Sequence, residues 1–168
     1  MKRVRVGLVG AGAVASSVHL PILSRRSDLY EVVAIADLNL AATHVLADRF
    51  GISRDKCFDS PHKLISSGDI DAIMVLNSGS HAEVVVSALN SGLNVFCEKP
   101  LAYNIWETRL IRETAAKYPR LSTQMGNQGH ASAQRRFIRE ILATGVIGPV
   151  REVHVWADRA WGLQDAAS

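Results

Sequence analysis

Residues 6–15 read VGLVGAGAVA, with three glycines, three alanines and three valines in ten positions close to the N-terminus. The stretch is either a cofactor loop or a tight turn in an apolar core, and its flanks decide how it is read. Before it, Val4–Val9 is an apolar run of strand length. After it, Ala13–Arg25 has helical spacing, with an irregularity expected near Pro21. Between them Gly10, Gly12 and Ala15 form G-x-G-x-x-A. The first glycine permits a tight turn and the second lets backbone approach a pyrophosphate. The small third residue lets helix and strand pack closely. The amides opening the helix, at Ala13 and Val14, then face phosphate oxygens. Asp37 ends the next apolar run, Glu31–Ala36, 25 residues past Gly12. A carboxylate there accepts hydrogen bonds from the adenosine ribose hydroxyls and repels a 2'-phosphate. Leu38 and Asn39 follow it, with no arginine, so the pattern points to NAD ahead of NADP. On this stretch alone, a close-packed turn beside a strand-ending aspartate stays open.

Moving outward, apolar strands and helical segments alternate. Helical spacing covers Leu40–Phe50 and stops at Gly51, and Lys56–Phe58 has the makings of a short strand. Ser60-Pro61 opens a helix that Gly68 ends. Asp71–Leu76 and Leu93–Cys97 are buried strands. Between them lies a helix from Ser80 to Asn90, with Ser80 and Glu83 in capping-box spacing. Asn104 caps a helix through Tyr118 that Pro119 closes, and Leu121–Met125 is a sixth strand. The strands are apolar without clean alternation, as strands buried on both faces are. The expected fold is therefore α/β: a doubly wound parallel sheet of the Rossmann type. The domain boundary is expected at residues 122/123. After it come a helix, Ser132–Ala143, and a half-buried strand, Val150–Trp161, which are either an appendage to the first domain or the beginning of a second one.

Composition sets the class. The 168 residues are 48% hydrophobic and 21% charged, which is globular rather than disordered. The net charge of +3 is spread over single residues and pairs such as Arg135-Arg136, so nucleic acid is not implied. Cys57 and Cys97 are far apart and are expected to be buried thiols rather than a disulfide. No run approaches the length of a membrane span. The expected setting is cytoplasmic, and no metal site is expected.

In a parallel sheet, ligands sit beyond the carboxyl ends of the strands. Asn77, Ser78 and His81 fall there, as do Glu98, Lys99 and Pro100, and Gln124–His130. A lysine in that crevice steadies an alkoxide or passes a proton, and the alternative is a surface lysine. Glu98 either pairs with Lys99 or shapes the pocket. His81 either touches the cofactor or caps packing.

The combination GLVGAGAVA, AIADLN, NSGSHAE and CEKPLA resembles the N-terminal half of the glucose-fructose oxidoreductase, inositol dehydrogenase and rhizopine catabolism (Gfo/Idh/MocA) family, over roughly residues 3–160. The resemblance implies an NAD(P)-binding Rossmann domain followed by an α/β domain that forms the substrate site and usually the oligomer interface. It implies sugars or cyclitols as substrates, oxidised or reduced at a secondary hydroxyl. Full-length relatives are implied to be homo-oligomers. Matched to the family pattern, Lys99 is the active-site lysine and Pro100 the proline whose preceding bond is often cis. Glu98 is then its neighbour in the nicotinamide pocket, and His81 lies by the cofactor. GNQGH resembles a sugar-dehydrogenase subgroup, which makes Gln128 and His130 candidate substrate residues. Trp156 and Trp161 either line a sugar site or pack at an interface.

Family members are commonly twice this length and usually supply a catalytic histidine, often preceded by an aspartate, from the second domain. Asp165 is followed only by Ala166, Ala167 and Ser168, and His154 reads as structural. The chain is thus expected to be the N-terminal portion of such an enzyme or a short relative. Related members hold NAD for glycoside hydrolysis by transient oxidation, and a module that only binds NAD(H) is a third reading.

Overall fold

The computed structural model of the chain describes residues 2–156. Six parallel strands form one sheet: β1 (Val4–Val9), β2 (Tyr30–Ala36), β3 (Cys57–Phe58), β4 (Ala72–Val75), β5 (Asn94–Glu98) and β6 (Thr123–Gly126). Their spatial order is β3-β2-β1-β4-β5-β6. The chain winds from β1 outward in one direction, returns, and winds outward in the other. The switch falls between β1 and β4, where doubly wound sheets open a crevice.

β1 and β2 bury consecutive residues, hence both faces, toward their carboxyl ends, which explains their apolar runs, whereas β6 at the sheet edge is largely exposed. On one side Leu8 and Ile35 pack with Ala15, Leu20, Leu46 and Ala47. These come from the helical segment after β1, ending in α1 (Leu20–Arg25), and from α2 (Leu40–Phe50). On the other side Val9, Ala34, Ala36, Ile73, Val75 and Val95 pack with Leu64, Val85, Leu89 and Ile111. Those side chains come from α3 (Pro61–Ser66), α4 (Ala82–Asn90) and α5 (Ile105–Ala116). The entry to β1 is pinned by Arg5 and Asp71. The Arg5 backbone N–H donates to Asp71 Oδ2 at 3.0 Å, and its guanidinium donates to both carboxylate oxygens at 3.1 and 2.9 Å. These bonds hold the Asp71 carboxyl well below the usual carboxylate range.

Helix ends follow the sequence signals closely. Asn39, Ser60 and Asn104 accept from amides of the first turn at 3.2, 3.2 and 2.9 Å. Gly51 closes α2 in the left-handed conformation at φ 72°. The irregularity expected near Pro21 precedes it, as a π-helical turn over Ala15–His19. Proline lacks the N–H that would bond Ser17, and its ring crowds that carbonyl, so the turn before it widens.

Three expectations need correction. Ser80 and Glu83 do not form a capping box, because α4 starts at Ala82, whose N–H Ser80 Oγ accepts at 3.4 Å, and the Glu83 side chain meets His62 instead of reaching back. Cys57 is half-buried rather than buried. Val150–Trp161 does not read as a strand: residues 150–156 are irregular and exposed, and the rest lies outside the described residues. His154 is accordingly an exposed side chain, 3.2 Å from Glu152.

The chain divides into two compact units, with the break after Asn127, five residues beyond the expected boundary. The reason is β6, which pairs with β5 from Val95↔Thr123 to Glu98↔Gly126 and so belongs to the sheet. The second unit contains a short 3-10 turn (Gln128–Ala131) and α6 (Ala133–Ala143), capped by the Ser132 hydroxyl at 3.3 Å from the Arg135 N–H. Among the described residues, no helix is long and apolar enough to cross a membrane.

A candidate dinucleotide-binding crevice

The turn after β1 is built against the end of β4. Gly10 has φ 105°, and its N–H donates to the Ala36 carbonyl at 2.8 Å. A Cβ on Gly10 would lie 2.6 Å from the Asn77 nitrogen and 2.8 Å from the Leu76 carbonyl carbon. Both the backbone conformation and the close approach therefore require glycine. Gly12 differs, since a Cβ there would meet no heavy atom within 4 Å. Its missing side chain leaves room on the outer surface of the turn.

Asp37 grips this turn. Its Oδ2 accepts from the Ala11 N–H at 2.7 Å, and its Oδ1 accepts from the Asn39 N–H at 2.8 Å. Each carboxylate oxygen has capacity for a further donor, and the side chain is half-exposed. Gly10, Gly12, Ala13, Val14, Asp37 and Asn77 all line one crevice of about 510 Å³, with Leu38, Pro61, Leu76 and Ser78 among the remaining walls. Within it the Asn77 Oδ1 is buried and has no hydrogen-bond partner. A buried acceptor without a donor is costly, and a ligand hydroxyl or amide would satisfy it. Open space at Gly12, helix-opening amides, an acceptor at the end of β2 and an unsatisfied Asn77 oxygen fit a dinucleotide.

His81 is placed beneath the loop rather than among the crevice walls. It is 2% exposed. Its Nε2 donates to the Asn77 carbonyl at 2.8 Å, while its Nδ1 is buried without a partner. The side chain thus supports the Asn77–Ser80 loop.

Glu98, Lys99 and Pro100 stand at the end of β5, outside that set of walls. The Lys99–Pro100 peptide bond is cis, as the family resemblance implied, and Lys99 is exposed. Each oxygen of the Glu98 carboxylate holds one donor, with Oε1 at 3.0 Å from His19 Nε2 and Oε2 accepting from the Lys99 N–H at 3.1 Å. Glu107 ties the loops after β4 and β5 together, accepting from the Ser80 hydroxyl at 3.2 Å and the Tyr103 N–H at 2.9 Å. The Ser80 hydroxyl donates to Glu107 while it accepts from the Ala82 N–H at 3.4 Å.

Sequence reading did not single out His19. Its partner is 79 residues away, and the one local cue is its spacing, four residues past the buried Ala15. Gln128 and His130 are exposed and belong to the second unit. Trp156 is exposed, and Trp161 lies outside the described residues. Among the described residues, no group of three or more His, Cys, Asp or Glu side chains is gathered for a metal ion.

Comparison with known proteins fits this geometry. Residues 4–125 match the family described as "Oxidoreductase family, NAD-binding Rossmann fold", and the chain belongs to that family. It is 32% identical over 152 residues to an inositol 2-dehydrogenase of Serratia proteamaculans, matching 89% of this chain and 44% of that protein. It is 33% identical over 153 residues to inositol 2-dehydrogenase 3 of Saccharopolyspora erythraea, matching 90% and 44%. The chain thus spans less than half the length of these relatives. Among solved structures, it superposes on a scyllo-inositol dehydrogenase of Lactobacillus casei holding NAD(H) and scyllo-inositol. The TM-score is 0.80 at 24% identity, covering 88% of this chain and 43% of that one, a likeness of fold. A 3-ketoreductase of Actinomadura kijaniata, in complex with TDP-benzene and NADP, gives a TM-score of 0.78 at 29% identity, covering 89% and 46%.

Proposed function

We propose that this chain is the dinucleotide-binding part of an NAD-dependent oxidoreductase acting on a secondary hydroxyl of a sugar or cyclitol. The observation that carries the reading is Asp37, which faces the same crevice as Gly12 and the helix-opening amides. Those amides, at Ala13 and Val14, bind pyrophosphate oxygens, and the open side of Gly12 lets the phosphates approach. Asp37 accepts from the ribose hydroxyls, and its negative charge disfavours a 2'-phosphate, so NAD is preferred to NADP. Asn77, whose side-chain oxygen has no partner, would satisfy it by turning to a donor on the ligand. When bound, the dinucleotide supplies hydride transfer at its nicotinamide ring. Lys99, exposed at the end of β5, is proposed to donate to the substrate oxygen and to exchange its proton, which its exposure allows. Gln128, His130 and Trp161 are proposed to contribute to the substrate side. Relatives acting on inositols support the cyclitol class.

Calorimetric titration of the chain with NADH, with NADPH in parallel, tests this reading. Saturable one-to-one binding with NADH preferred is expected. A chain with folded circular dichroism that binds neither dinucleotide would refute it.

A further inference from the structure

The glycine loop and the Lys99 turn belong to different halves of the sheet, yet one hydrogen-bonded bridge joins them. From the first half comes His19, the last residue of the π-helical turn that follows the glycine loop. From the second comes Glu98, the last residue of β5. Their side chains meet at 3.0 Å and are only 14% and 17% exposed. A carboxylate only accepts, so His19 Nε2 carries the proton of this bond. The other oxygen of the same carboxylate accepts from the Lys99 backbone N–H. Two further groups confine the pair. The His19 ring stands edge-on to Phe96, with centroids 5.4 Å apart. Across from them Gly126 at the end of β6 has no room for a side chain. A Cβ there would lie 2.8 Å from Phe96 Cζ and 2.9 Å from Glu98 Oε1.

The geometry points to His19 as a positioning residue. Through Glu98 it fixes the backbone of Lys99 relative to the helix whose first amides face the dinucleotide crevice. This inference rests on the function proposed above for the meaning of Lys99, but the bridge itself is a property of the chain alone. The His19 side chain does not line the dinucleotide crevice. It acts by holding one carboxylate oxygen, which leaves the other in place for the Lys99 amide. The widened π turn is what brings the imidazole to Glu98, because a π turn advances a side chain less around the axis than an α turn does. A bridge of this kind makes phosphate binding at one strand end and lysine placement at another a single mechanical event.

The experiment is amide hydrogen exchange by NMR on the full chain, read at Lys99 with Leu8 as the control for global stability. His19→Ala is expected to speed exchange at Lys99 by about tenfold while leaving Leu8 unchanged. His19→Gln, which keeps an N–H donor, is expected to restore Lys99 to within about threefold of the parent. Gly126→Ala presses on the same carboxylate from β6, so it is expected to speed Lys99 exchange even if His19→Ala fails to fold. NADH titration of the same variants should show weaker binding in His19→Ala and recovery in His19→Gln. Unchanged Lys99 exchange in folded His19→Ala or Gly126→Ala overturns the inference, as does a His19→Gln variant no better than alanine. If the parent chain binds no NADH while Lys99 exchange responds as expected, the proposed function fails and the bridge stands.

Discussion

Replacing Gly12 with valine places an isopropyl group on the outer face of the glycine turn, where an added Cβ meets no heavy atom within 4 Å. The folded chain should accept it. An uncrowded surface substitution is within about 0.5 kcal/mol of neutral, so the midpoint of thermal unfolding should move by about 2 °C or less. Binding should not accept it, because the new methyl groups occupy the space through which a pyrophosphate reaches the amides of Ala13 and Val14. Losing one or two charge-assisted hydrogen bonds there costs about 3 kcal/mol, which is about a hundredfold in dissociation constant. Gly10→Ala is the contrasting control. Its φ of 105° and the 2.6 Å approach to the Asn77 nitrogen make alanine strained in the fold itself, at about 1–3 kcal/mol for the backbone conformation alone. Calorimetry with NADH and thermal unfolding by circular dichroism, run on both variants, separate the two effects. A Gly12→Val chain that binds NADH as tightly as the parent would show that the turn does not receive the phosphates.

Asp37→Ala should shift the ratio of NADPH to NADH affinity toward NADPH. It should also destabilise the chain by about 1–3 kcal/mol, because the Ala11 and Asn39 amides lose their acceptor; an unchanged ratio by parallel titration would sink the ribose assignment. Asp71→Asn should lower thermal stability at pH 7 by about 1 kcal/mol after allowing for solvent at this half-exposed pair. The sign with pH follows from the lowered carboxyl. The contribution is complete above the unfolded value of about 3.9 and disappears as pH falls through the lower folded value, so parent and variant unfolding curves should converge in acid. Burial pushes the Cys97 thiol up to about 12, leaving about one part in ten thousand as thiolate at pH 8. Thiol titration of the native chain with a disulfide reagent should therefore modify Cys57 and spare Cys97 until the protein is unfolded, and rapid native modification of Cys97 would contradict its burial.

Much of the fold was legible because burial on both faces leaves a plain signature. Val4–Val9 matches β1 residue for residue, and Asn39, Ser60 and Asn104 cap the helices whose starts they marked. The glycine loop and Asp37 were legible because each requirement, a positive φ at Gly10 or an acceptor at a strand end, is local. Long-range pairing was not. Ser80 and Glu83 have the spacing of a capping box, but α4 starts two residues after Ser80 and His62 draws the Glu83 side chain away. Asp37 read as a ribose acceptor, and nothing in the sequence indicated that it holds the Ala11 amide. His19 carried no local signal because its partner closes a loop of 79 residues. The run at 150–156 alternates like a strand, yet alternation makes a strand only where a neighbouring strand accepts its hydrogen bonds.

β1 also has a thermodynamic consequence. Successive residues of this one strand, Leu8 and Val9, enter opposite cores, and β1 pairs with both β2 and β4. Neither layer can loosen without disturbing the strand that the other layer is built on. Heat or denaturant should therefore melt both layers in a single transition, with the amide of Leu8 exchanging only in the globally unfolded chain. The strand-end loops stand on that scaffold, and the bonds made by Glu98 and Glu107 tie them to one another. A scaffold that yields all at once thus carries a rim whose parts are coupled.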